Sequence, residues 1–249
     1  MDLKNRVVIV TGSGRGIGRA LSVELARQGA RVLCCARTTA EIEETAALIR
    51  AENGHCLTVV TDLRVNEKVK HLVKQALTEF GRIDVLINNA ARIPVIDALW
   101  EVDPEQWWDE VTVNLRGPML CCRAVLPHMI KQNEGIVINM AGGTEIPGRT
   151  SYCCSKTALI RLTWLLAKEL EALKSAVLAV AMAPGLTKTK RTLYEAQSSQ
   201  GRRWNPSTWR QFEAALDHPP EECARATVTL IARADAGMNG KVFAMQDML

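Results

Sequence analysis

"RVVIVTGSGRGIGRALSVELARQG", residues 6–29, sets a short β-branched run directly against a glycine-rich turn and a helical pattern. The run RVVIVT (6–11) reads as a buried strand, and GIGRALSVELARQG (16–29) as a helix closed by Gly29. Between them lies TGSGRGIG (11–18), spaced Thr-Gly-x-x-x-Gly-x-Gly on Gly12, Gly16 and Gly18. It does not fit Gly-x-Gly-x-x-Gly, because Ile17 stands in the last glycine position. Glycine backbone lets N–H groups approach a pyrophosphate closely, and the N-terminus of the following helix attracts the same anion.

The same alternation runs through the rest of the chain. A second strand, ARVLCCA (30–36), precedes the helical AEIEETAALIRAEN (40–53) and its terminator Gly54. CLTVVT (56–61) and IDVLIN (83–88) read as strands around the helical VNEKVKHLVKQALTEFG (65–81). Asp103 and Pro104 suit the cap and first position of another helix. GIVINMA (135–141) and AVLAVAMA (176–183) give strands five and six around a helix from about 151 to 174. EECARATVTLIARAD (221–235) and GKVFAM (240–245) add one more helix and strand. This cadence predicts an α/β fold: a Rossmann-type, doubly wound parallel sheet with helices on both faces. No repeat, low-complexity tract or linker divides residues 1–249, so a single domain is expected.

The 249 residues are 47% hydrophobic and 23% charged, ordinary for a soluble globular protein. No apolar run is long enough to span a bilayer, and no signal peptide is read at the start. The eight cysteines lie mostly in apolar or helical stretches without zinc-ligand spacing, so reduced thiols, a cytoplasmic protein and no metal are expected.

Residues 187–213 break the cadence. They carry Lys188, Lys190, Arg191, Arg202, Arg203 and Arg210 against Glu195 and Glu213, a surplus matching the whole chain's formal +4. The positive charge is therefore local, which disfavours nucleic-acid binding. Tyr194, Trp204, Trp209 and Phe212 lie in the same stretch. An insertion here, reaching to 218, is expected to form a lid over a hydrophobic or aromatic substrate, with a carboxylate or phosphate as an option.

A second chemical signal is NMAGGTEIPGRTSYCCSK (139–156). Tyr152 and Lys156 are four apart, one turn on a helix face. An ammonium beside a phenol favours the phenolate and makes the pair a proton donor or acceptor for a carbonyl or alcohol oxygen. No serine lies between Met140 and Thr150 to provide a second donor to that oxygen.

Together these motifs resemble those of the short-chain dehydrogenase/reductase family, in the expected order along the chain: TGSGRGIG, Asp62-Leu63, NNAA (88–91), Asn114, YCCSK (152–156) and PGLTKT (184–189). The resemblance implies that Gly12, Ser13, Arg15, Gly16, Ile17 and Gly18 cradle cofactor phosphates. It implies that Asp62 and Leu63 contact adenine, with Asn89 and Ala90 on the adenosine side of the crevice. Tyr152 would be the general acid or base, and Lys156 would bind the nicotinamide ribose and lower the tyrosine pKa. Asn114 would hold a relay water near Lys156. Pro184, Gly185, Leu186 and Thr187 or Thr189 would close over the nicotinamide.

Two departures stand out. Gly142 occupies the position where the family usually carries a serine, and the usual Gly-Gly near the C-terminus is absent. Thr144 is the candidate substitute donor, with the main-chain N–H of Gly142 or Gly143 as the alternative. Ser151 faces away from its helical neighbour Tyr152.

The expected activity is an NADP(H)-dependent carbonyl reductase or secondary-alcohol dehydrogenase. The rivals are a non-catalytic NADP-binding homologue and a dehydration or isomerisation on the same site. NADP(H) is preferred because the second strand ends Cys34-Cys35-Ala36-Arg37, with no carboxylate before Glu41. Arg37 and Arg15 would clamp a 2′-phosphate. A homodimer or homotetramer follows from the resemblance and from ALIRLTWLLAKEL (158–170), which is apolar around much of its circumference.

Overall fold

The computed structural model describes residues 1–92 and 95–249. Among them, seven strands form one parallel sheet in the order β3-β2-β1-β4-β5-β6-β7. The strands are β1 Val7–Thr11, β2 Arg31–Ala36, β3 His55–Val60, β4 Val85–Asn88, β5 Ile136–Met140, β6 Leu178–Ala183 and β7 Val242–Ala244. The doubly wound architecture expected from the sequence is present.

Both faces are covered, which is why the central strands read as continuous apolar runs. Val8 and Val10 point to one face, where α1 (Gly16–Arg27) and a helix over Pro220–Arg233 place Leu21, Leu25 and Leu230. Ile9 and Leu33 point to the other face. There α3 (Asn66–Phe80), α5 (Gly117–Gln132) and α6 (Thr150–Ala172) contribute Leu72, Val125 and Leu170. The remaining helix of the second β–α unit, α2, spans Thr39–Ala51. Helix α4 (Pro104–Val111) starts as expected: Asp103 caps it by accepting from the Gln106 N–H at 2.9 Å.

At the N-terminal edge of the sheet, the fully buried Asp84 sits just before β4. It accepts from the Val7 N–H (2.8 Å), Arg6 Nη1 (2.8 Å) and Arg82 Nε (3.0 Å). Its own carbonyl accepts from the Ile136 N–H at 2.9 Å, so one residue ties the starts of β1, β4 and β5. Asp84→Ala should therefore lower stability by about 2 kcal/mol, chiefly by leaving the buried Val7 N–H without its acceptor, since Arg6 and Arg82 are partly exposed and keep Glu134. A denaturant midpoint unchanged from wild type would contradict that role.

Candidate active site

Strand order reverses between β1 and β4, which opens a crevice at the C-terminal ends of the strands. The glycine turn leads into it. Gly12 has φ +68°, and a β-carbon there would crowd the Ala90 backbone. A β-carbon on Gly18 would strike the Gly12 carbonyl. Helix α1 receives no side-chain cap and has no acidic residue in its first turn. Its first N–H groups and dipole therefore suit an anion such as a pyrophosphate.

A cavity of about 590 Å³ runs from this turn to Tyr152. Gly12, Arg15, Gly16, Ile17 and Gly18 line its phosphate end. Arg37, Asp62, Leu63, Asn89 and Ala90 line the side beyond β2 and β4. Tyr152, Lys156, Pro184 and Thr189 line the far end. Ser13 is fully buried beneath the turn, with Oγ donating to the Cys35 carbonyl at 3.3 Å. Gly185, Leu186 and Thr187 lie outside the lining, and Thr187 Oγ1 donates to the Pro184 carbonyl at 3.0 Å. The Asn89 amide nitrogen donates to the Thr11 carbonyl at 2.9 Å, bracing β4 against the turn. Hydrogen bonds from Arg64 lower the Asp62 pKa from its ordinary value. Arg15 pairs loosely with Glu41 at 3.6 Å, and Glu41 also lines the cavity.

Asn114 lies in a π-helical turn, Thr112–Arg116, between α4 and α5. Such turns recur at functional sites. Its amide is fully buried, donates to Ser155 Oγ at 3.3 Å and accepts from the Arg92 N–H at 3.4 Å.

The chemistry concentrates at Tyr152. Its phenol is buried, with Lys156 on the same helix face and the Lys156 ammonium donating to the Met140 carbonyl at 2.6 Å. Arg149 stacks on the tyrosine ring, 3.9 Å from guanidinium carbon to ring centre. Arg191 Nη2 donates to the tyrosine Oη at 3.2 Å. Burial by itself would raise the phenol pKa, but the charges of Arg191, Lys156 and Arg149 outweigh it and hold the pKa below the ordinary value. Burial pushes Lys156 down to about 8, against the pull of the tyrosine oxygen. The surrounding cations thus make the phenol a better proton donor than tyrosine in water.

Sequence reasoning did not single out Arg191, Arg149 or Glu110. Glu110 is fully buried and accepts from Ser151 Oγ at 2.6 Å, so Ser151 does face away from the phenol oxygen. Thr144 is half-buried on its loop, outside the cavity lining, and has no hydrogen bond to Tyr152. A β-carbon at Gly142 would collide with the tyrosine hydroxyl, so a serine there would need the phenol elsewhere.

The model for the family described as short chain dehydrogenase matches residues 6–199, most of the chain. The protein belongs to that family. It is 37% identical over 194 residues to short chain dehydrogenase mpl6 of Monascus purpureus, covering 74% of this chain. The chain spans only 66% of that relative's length. It is 35% identical over 240 residues to dehydrogenase/reductase SDR family member 4 of Bos taurus, covering 94% of this chain and 83% of that protein. A metagenomic short-chain oxidoreductase solved in complex with NADP matches with a TM-score of 0.79 at 26% identity, over 98% of this chain and 99% of that one.

In this chain the insertion is helical, with α7 (Lys190–Gln197), α8 (Ser199–Trp204) and α9 (Pro206–Glu213). Its base is pinched where Thr187 bridges His218 and the His218 N–H donates to the Leu186 carbonyl at 2.9 Å. The four aromatics of the insertion do not line the cavity. Trp204 packs on Gly148 and edge-on against Trp100. Thr189, Lys190 and Arg191 are the insertion's contribution to the lining.

A buried ion pair anchors the insertion to the base of α6: Arg149 Nη1 to Glu195 at 2.6 Å, both side chains at most 4% exposed. Glu195 also accepts from the Asn205 amide at 3.2 Å. Glu195→Ala would leave Arg149 charged and buried, so a loss of about 3 kcal/mol in stability is expected. Limited proteolysis should then cut 187–218 faster than in wild type. Unchanged cleavage and stability would show that the insertion is held by other contacts.

Proposed function

We propose that this short-chain dehydrogenase is an NADP(H)-dependent oxidoreductase that interconverts a carbonyl and a secondary alcohol. The observation that carries the reading is one cavity joining the glycine turn at α1 to a buried phenol flanked by Lys156 and Arg191. The nicotinamide, when bound, supplies or accepts the hydride. Tyr152 gives its proton to the carbonyl oxygen in reduction and takes it back in oxidation. Lys156 holds charge beside that phenol, and the π-helical turn places the Asn114 amide against Ser155, one residue before Lys156.

The choice of NADP over NAD rests on Arg15 and Arg37, which flank the cavity end beyond β2. The carboxylates lining this end are already engaged, Glu41 by Arg15, Glu44 by Arg19 and Asp62 by Arg64. The substrate is proposed to be a small carbonyl or alcohol compound with an apolar body against Val113, Met140 and Pro184. A homodimer or homotetramer is proposed on the half-exposed Trp164 and Leu165 of α6. No helix among the described residues is long and apolar enough to cross a membrane.

Titration with both cofactors tests the pocket. NADPH should bind more tightly than NADH, and Arg37→Ala should weaken NADPH binding about tenfold, the worth of one charge-assisted hydrogen bond. Tighter NADH binding would reverse the assignment. Wild-type protein should oxidise NADPH with members of a ketone panel, and Tyr152→Phe should abolish this. Substrate turnover without NADPH consumption would favour dehydration or isomerisation, and cofactor binding without turnover the non-catalytic reading.

The pH profile carries a sign. Alcohol oxidation needs the Tyr152 phenolate, so its rate should rise with pH as the proton leaves, and carbonyl reduction should fall. Because the phenol is held below its ordinary value, both changes should be centred below about pH 10. A rise centred at the ordinary phenol value would mean that the surrounding cations do not act on Tyr152.

A further inference from the structure

We propose that Arg191 takes the place of the absent serine: one guanidinium nitrogen holds the Tyr152 oxygen while the other donates to the reacting oxygen of the substrate. The inference rests on the oxidoreductase reading above and names a residue that the family pattern does not assign.

Two observations carry it. Nη2 of Arg191 already lies 3.2 Å from the tyrosine Oη, the atom any reacting carbonyl oxygen must approach to receive a proton. Nη1 of the same group is buried with no hydrogen-bond partner among the described residues, although Arg191 lines the cavity. A buried donor left unpaired is costly, and a bound acceptor would satisfy it. A guanidinium presents its donors in a rigid fork, so two neighbouring oxygens can be held at once.

The alternatives are less well placed. Gly142 and Gly143 offer only main-chain N–H groups, and neither is hydrogen-bonded to the Tyr152 oxygen as Arg191 is. Thr144 lies off the cavity. Ser151 is committed to Glu110.

The charges facing Tyr152 come from three elements and the residue that precedes one of them. Arg149 caps the start of α6, Lys156 lies on α6, Glu110 on α4, and Arg191 and Glu195 on α7. Glu195 is engaged by Arg149. Arg191 is thus the cation with both a direct hydrogen bond to Oη and a donor to spare.

The chain has two tyrosines, so in a Tyr194→Phe background the phenolate absorbance reports Tyr152 alone. Arg191→Met should move that titration up by about one pH unit or more, the effect of removing an opposite charge at this range. Arg191→Lys keeps the charge but not the fork, so its titration should stay near wild type. With a ketone turned over by the wild type, both variants should lose about a hundredfold in kcat, as when one oxyanion donor is removed. NADPH binding reports that each variant is folded.

An Arg191→Met titration at the wild-type midpoint would overturn the contact with Tyr152. An Arg191→Lys variant at wild-type kcat would overturn the donor role. If no ketone is turned over by the wild type, the oxidoreductase reading fails, whereas the titration still decides whether Arg191 governs the Tyr152 oxygen.

Discussion

Three cations and two carboxylates share one poorly hydrated volume around the Tyr152 ring. Glu195 neutralises Arg149 at 2.6 Å. Glu110 is buried without a direct cationic partner, taking hydrogen bonds from Ser151 and the Val95 N–H instead. That leaves Lys156 and Arg191 facing the phenol from two sides. An uncompensated buried charge costs several kcal/mol, and ionisation of the phenol is the nearest available compensation. Positions that look unrelated in the chain, from 110 to 195, are bound together by this one electrostatic requirement.

The requirement also explains the bare backbone nearby. The tyrosine hydroxyl occupies the space a Gly142 side chain would need, and Trp204 occupies the space beside Gly148, which has φ +72°. Without those two glycines the ring could not lean toward Arg191, nor the insertion dock on the loop. A bare backbone at Gly142, where the resemblance leads us to expect a serine, is therefore tied to the packing of Tyr152. It does not by itself signal lost chemistry.

The fold was legible because each strand-turn-helix unit is specified locally. A β-branched run, a glycine and an amphipathic period suffice, and right-handed crossovers leave few ways to assemble them. Tyr152 and Lys156 were legible for the same reason, since helix geometry alone brings residues four apart together. Arg191 was not. It meets Tyr152 across 39 residues through an insertion whose three short helices the sequence pattern did not reveal. Thr144 was the nearest hydroxyl on the loop after Gly142, yet it is not among the residues that line the cavity. The insertion's aromatics suggested a substrate surface, but Trp204 packs beneath it against Gly148 and Trp100.

The two ends of the cavity differ in how firmly their charges are held. At the glycine-turn end, Arg15 is about half exposed and meets Glu41 at 3.6 Å. Such a pair contributes about 1 kcal/mol at most, so an incoming phosphate could displace the carboxylate at little cost. At the tyrosine end, Arg149 and Glu195 are enclosed, and separating them would strand a charge away from water. Insertion helices α7 to α9 are fastened through that pair, so Arg191, four residues before Glu195 on α7, is held in register with Tyr152 by the same contact. A ligand can therefore rearrange the exposed arginines that meet its charged tail, while the groups that would act on the reacting oxygen stay fixed.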